Sequence, residues 1–129
     1  MSEQNQLPYT EYNADGLFAA ASASDQKRVG DQAAQQVLQK YPEVHDARAR
    51  HFNQIGQRLV RALSASDRKT WDFRFHVLDS KAVNAFALPG GQVFITKGIL
   101  DKLTSEGELA GVLAHEIQHV ERRHATKAV

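Results

Sequence analysis

No cysteine occurs in the 129 residues. Disulfides and thiolate metal ligands are therefore excluded, and the redox compartment stays open. There is no apolar run near the ~18 residues that a membrane-spanning helix needs. No sign of charge dominates: 16 Lys and Arg stand against 15 Asp and Glu, so bulk charge makes no case for a nucleic-acid or membrane partner. Residues 1–10 are polar and carry no signal-peptide core, so as written the chain is expected to remain in the cytoplasm where it is made. No repeat or low-complexity tract is present. What remains, 42% hydrophobic and 24% charged residues, is the composition of a soluble globular chain. A single domain of this length buries about two thirds of its unfolded surface and needs no covalent staples.

The most informative stretch is His115-Glu116-Ile117-Gln118-His119, which reads H-E-x-x-H. It follows Glu108-Leu109-Ala110-Gly111-Val112-Leu113-Ala114, an apolar segment with helical spacing. Ser105 followed three residues later by Glu108 fits a capping box that starts the helix. Residues four apart share a helix face, so both imidazoles can grip one metal ion from the same side. Glu116 lies about 100° around the helix from His115, positioned to reach a water rather than the metal. Zinc suits imidazole nitrogen, and a catalytic zinc takes three protein ligands plus water. It lowers the pKa of that water to about 7, and the Glu takes the proton as general base. Leu109, Val112, Leu113 and Val120 form the buried stripe. Arg122, Arg123 and Lys127 suit the negative end of the helix dipole.

Upstream, residues 1–23 have little pattern and are expected to form a mobile arm. A helix capped near Ser24 is expected to run to Lys40. Its apolar face is Val29, Ala33, Val37 and Leu38, and Gln26, Lys27, Gln35 and Gln39 fall elsewhere. Gly30 inside it points to a close packing contact. A second helix over Asp46–Leu63 carries the stripe Phe52, Ile55, Leu59 and Leu63; His45 and His51 read as surface or half-buried histidines. Residues 64–70 read as a loop. Trp71–Leu78 alternates, with Phe73, Phe75 and Val77 inward and His76 directed to solvent, as in a half-buried strand. Asn84–Leu88 and Gln92–Thr96 flank Pro89-Gly90-Gly91 as a hairpin. Its edge offers backbone groups to an extended peptide, and the small residues at Asn84-Ala85 allow close approach. Residues 98–103 form a short helix or turn. The sum is an α+β fold: two N-terminal helices, three strands and a long helix bearing the motif.

Several spaced segments together resemble one family. Asn84-Ala85-Phe86-Ala87-Leu88-Pro89-Gly90-Gly91, Thr96-Lys97-Gly98-Ile99-Leu100, the run from Glu108 to Val120 and Arg123-His124 are similar to the gluzincin CAAX prenyl endopeptidases, the HtpX-type heat-shock proteases and their periplasmic relatives, often associated with the cell envelope or membrane. Val29-Gly30, residues 56–60 and residues 71–78 extend the likeness over residues 24–129. It implies a zincin-like domain and a zinc endopeptidase with a polypeptide substrate, acting in protein quality control. His115 and His119 would be ligands to one Zn²⁺ and Glu116 the base. The strand Asn84, Ala85, Phe86, Ala87 would hold substrate, and His124 would be a supporting residue. The family draws its third zinc ligand, a Glu, from a helix well downstream, whereas this sequence ends ten residues after His119. The expectation is therefore a truncated peptidase domain with weak zinc binding, little proteolysis and a tendency to self-associate. The competing reading is a non-catalytic, chaperone-like peptide-binding module with an incomplete metal site.

Overall fold

The computed structural model describes residues 22–128, with side chains through Arg123; the expected arm, up to residue 21, lies outside them. Helix α1 (Ala23–Lys40) is capped by Ser22, whose Oγ accepts from the Asp25 N–H, and so starts slightly earlier than expected. Helix α2 (Ala47–Arg61) is capped by Asp46 in the same way. A side-chain oxygen at the cap satisfies one of the N–H groups that the first turn leaves without a partner. Residues 64–70 are not a loop. Ser64 caps a short helix, α3 (Ala65–Thr70). Its composition is polar because no residue of it is buried, so it offers no periodicity to read.

Strands β1 (Arg74–Leu78), β2 (Ala85–Ala87) and β3 (Gln92–Thr96) form one sheet in the order β1-β3-β2. β1 runs parallel to β3, and β2 antiparallel to it. The strand thus begins at Arg74 rather than Trp71, although Trp71 and Phe73 are buried as the alternation requires. Every residue of β3 is buried, because helices cover both faces of the centre of the sheet. On one face Ala33, Ala34 and Val37 of α1 meet Leu78, Phe86, Leu88 and Phe94. On the other, α2 and the last helix pack Phe52, Ile55, Leu109, Leu113, Ile117 and Val120 against Phe75, Val77, Val93 and Ile95. Each such side chain contributes about 1.5–3 kcal/mol when fully buried.

Two connections hold the hairpin. The turn between β2 and β3 places Gly90 and Gly91 at φ 95° and 129°, backbone that only glycine adopts freely. The close contact anticipated for Gly30 is with this turn: a Cβ on Gly30 would fall 1.7 Å from the Pro89 carbonyl oxygen. At the other end the Thr96 hydroxyl donates to the Ala82 carbonyl, and its oxygen accepts from the Ile99 N–H to cap α4 (Lys97–Lys102).

Two polar residues sit differently from expectation. Gln26 is fully buried instead of lying on the wet face of α1. His76 does not project into solvent. Its ring stacks on Phe94 at 4.7 Å, with Nδ1 2.8 Å from Glu43 Oε2 and Nε2 2.7 Å from Gln92 Oε1. Gln92 in turn donates to Asp31 of α1 at 2.7 Å. On the face of β1 opposite Phe75, His76 is thus held in a hydrogen-bonded polar chain next to the apolar contact of Leu78 with α1.

Candidate active site

The last helix, α5 (Glu106–Ala128), carries the motif. Its start follows the capping-box logic with one change. Ser105 Oγ accepts from the Glu108 N–H at 3.1 Å, while the Glu108 carboxylate reaches back to the N–H and hydroxyl of Thr104, at 2.6 and 2.9 Å, instead of to Ser105. These bonds hold the Glu108 carboxyl below its ordinary value, so the first turn carries a fixed anion where the dipole favours one. Four apolar residues then bury one face of α5, from Leu109 to Val120, and this fixes the rotation of the motif about the helix axis.

With that rotation, His115 is exposed and His119 half-buried. Their rings lie 4.8 Å apart, centroid to centroid, at 88°. Glu116, one residue on, is 3% exposed, and its buried Oε1 has no hydrogen-bond partner among the described residues. A carboxylate oxygen left so costs free energy unless something beyond the described residues completes it. Two adjacent imidazoles beside an incomplete carboxylate fit the donor set of a metal with an activated water. Among the described residues, no group of three His, Asp or Glu side chains surrounds a single point. His51 is at 3.5 Å from Glu106 and His45 at 4.0 Å from Glu43, both away from the motif. The side chain of His124 lies outside those described. Glu121, on the far side of α5, has its carboxyl raised to about 7 by burial and by Asp67 of α3 beside it.

His115 and Glu116 open onto a groove of about 620 Å³, whose opposite wall includes Asn84 and Ala85. Pairing of β2 with β3 is centred on Phe86 and Phe94, with Leu88 N–H donating to Gln92 and Thr96 N–H donating to Asn84. Alternation in an antiparallel ladder then turns the N–H and C=O of Ala85 and Ala87 toward the open edge. Of the four residues expected to hold substrate, Asn84 and Ala85 line the groove. Phe86 does not, because its ring stacks on Phe94 at 5.1 Å in the opposite core. Ala87 does not either: it is 1% exposed, and its carbonyl accepts from Arg123 Nη2 at 2.9 Å.

Arg123 is the residue that sequence reasoning missed. Expected to serve the helix dipole, it is instead 2% exposed and ties α5 to the edge strand. Its spacing was a usable signal, since Arg123 continues the i, i+4 series of His115 and His119 on one helix face.

Residues 46–129 match the sequence model of Peptidase family M48. The chain belongs to that family. Among relatives of this M48 chain, the mitochondrial metalloendopeptidase OMA1 of Schizosaccharomyces pombe is 32% identical over 128 residues, covering 95% of this chain and 37% of the relative. The β-barrel assembly-enhancing protease of Escherichia coli is 33% identical over 109 residues, covering 84% and 22%. The mitochondrial metalloendopeptidase OMA1 of Bos taurus is 46% identical over 52 residues, covering 40% and 10%. The M48 chain thus spans between roughly a fifth and two fifths of the first two relatives. Among its described residues no helix is long and apolar enough to cross a membrane.

Proposed function

We propose that this chain carries the motif helix and the substrate edge of a zinc metalloendopeptidase that hydrolyses peptide bonds in unfolded polypeptides, in the service of protein quality control. The observation that carries the reading is the Glu116 carboxylate. It is buried, its Oε1 lacks a partner among the described residues, and it opens with His115 onto a groove whose far wall is the edge strand β2, the last of the described sheet. Membership of a peptidase family and relatives named metalloendopeptidases support it.

His115 and His119 would hold zinc, and zinc when bound supplies Lewis acidity and lowers the pKa of a bound water to about 7. The rest falls to the chain. The backbone N–H and C=O of Ala85 hold an extended substrate as an added strand. Glu116 Oε1 takes a proton from the attacking water and delivers it to the departing amine nitrogen. At 3% exposure, the Glu116 carboxylate meets little competing bulk water.

Residues 24–129 are read as the N-terminal part of the peptidase domain. The family resemblance assigns the third ligand to a Glu on a helix further along, so this chain provides two ligands of three. Alone it is expected to bind zinc weakly, cleave little and self-associate. The absence of a third ligand among the described residues also favours a second reading, a peptide-binding module without catalysis. Zinc affinity by chelator competition, with turnover of an unfolded protein, separates the two when run on this chain and on a longer product of its gene. Cleavage by the longer product that requires Glu116 supports the peptidase. Binding without cleavage in both supports the module.

A further inference from the structure

Gly111 is a glycine without an internal reason. It sits inside α5, where glycine is among the least favourable residues, and it is exposed. Among the described residues, a Cβ built on it would have no atom within 4 Å outside its own helix backbone and chain neighbours. Gly30, by contrast, is forced, because a Cβ there would overlap the Pro89 carbonyl oxygen. The space over Gly111 is the groove itself. Gly111 lines it with Val83, Ile99, Leu103 and Val112, four residues before His115. On a helix that is one turn, about 6 Å along the axis, the distance of a neighbouring substrate side chain from the bond being cut. Beyond lies Glu108, held ionised by Thr104.

Resting on the peptidase reading above, we propose that Gly111 is a specificity-determining residue. Its missing side chain opens an apolar subsite that takes a large aliphatic or aromatic side chain of a polypeptide laid along the edge at Ala85, and the Glu108 carboxylate turns acidic side chains away. The occupant follows from the walls. Half-buried Val83, Ile99, Leu103 and Val112 offer apolar area that an extended chain on β2 would cover. Hydrogen bonding of that chain to Ala85 would direct its alternate side chains toward α5.

The test uses a longer gene product that contains this chain, loaded with zinc, in a Glu116→Gln background that cannot cut. Fluorescent peptides differing at one position as Gly, Ala, Leu, Phe or Asp are measured by anisotropy, and the same peptides are offered to the uncut parent for cleavage. Leu and Phe peptides are expected to bind at least about tenfold more tightly than the Gly peptide, and the Asp peptide most weakly. Gly111→Val should erase that preference. Gly111→Ala should narrow it while raising the thermal midpoint, since Ala is the better helix former and meets no clash. A purely structural Gly111 would do the reverse: its substitution would lower the midpoint and leave the preference alone. An unchanged preference in Gly111→Val, or none in the parent, overturns the subsite. Preference in binding with no cleavage by the parent leaves the subsite standing and removes the peptidase. Cleavage without preference does the opposite.

Discussion

The two edges of the sheet are finished differently. Along β1, the segment before α2 lies against the strand: Val44 N–H donates to Val77 and Asp79 N–H to Pro42, both at 2.8 Å, with Glu43 bridged to Leu78. A small cleft of about 280 Å³ remains beside Phe75, less than half the volume of the groove at β2. Along β2, a single outward carbonyl is covered, that of Ala87, and it is covered by a charged side chain. The backbone of Ala85 is left open on the groove that His115 also lines. An edge strand invites unwanted pairing, and this fold suppresses the risk at β1 with backbone. At β2 it leaves the Ala85 backbone open beside His115 and Glu116.

The largest test of that contrast is Glu116→Gln in a longer gene product. General-base catalysis contributes typically 10²–10⁴-fold, so peptide cleavage should fall by about that much while zinc content by metal analysis stays constant. Near-parental turnover would refute the role given to Glu116. Arg123→Met comes next. It keeps the buried stem but leaves the Ala87 carbonyl without its donor, and stability by denaturant melt should drop by about 1–3 kcal/mol. Cleavage should suffer beyond that loss, because α5 and β2 no longer share a fixed spacing. Val44→Pro breaks the other edge. It removes one ladder bond and should also lower stability by about 1–3 kcal/mol, yet cleavage per folded molecule should be unaffected. Equal damage to activity from both substitutions would dissolve the distinction between the edges.

The smallest effect is one of pH. Burial and Asp67 raise the Glu121 carboxyl to about 7 from an ordinary 4.5. A carboxyl raised in the fold contributes stability that is complete below its unfolded value and is lost as pH climbs through the folded one. The contact of Glu121 on α5 with Asp67 on α3 should therefore weaken between about pH 4.5 and 7. Glu121→Gln should raise the thermal midpoint at pH 8 and leave it near the parent's at pH 5. An identical shift at both pH values would rule out titration as the cause.

Local structure was legible in advance and long-range pairing was not. The start of α5, the H-E-x-x-H spacing and the Pro-Gly-Gly hairpin are set by residues within a few positions of one another, so the α+β composition and the neighbouring placement of the His115 and His119 rings on one helix could be read directly. Arg123 was misjudged because its partner, Ala87, lies 36 residues away, and a charged residue near a helix end is usually wet. His76 was misjudged for the same reason, its partners Glu43 and Gln92 being 33 and 16 residues distant. The parallel pairing of β1 with β3 likewise left no trace in the period-two pattern, which shows which face of a strand is buried but not its neighbour.

The bracing of the hairpin has a mechanical consequence. β2 is three residues long, about 10 Å at the usual rise, and it is gripped at both ends. Near the turn, the Gly30 backbone meets Pro89 with no room for a methyl group. At the other end, Thr96 holds the backbone of Ala82 and Asn84 by hydrogen bonds. A beam this short, clamped twice, does not bow toward whatever is laid on it. The compliance must come from the incoming chain, and a folded protein has little to give. If the peptidase reading holds, the rigidity of those two clamps would act as a filter, admitting segments that have already lost their own structure.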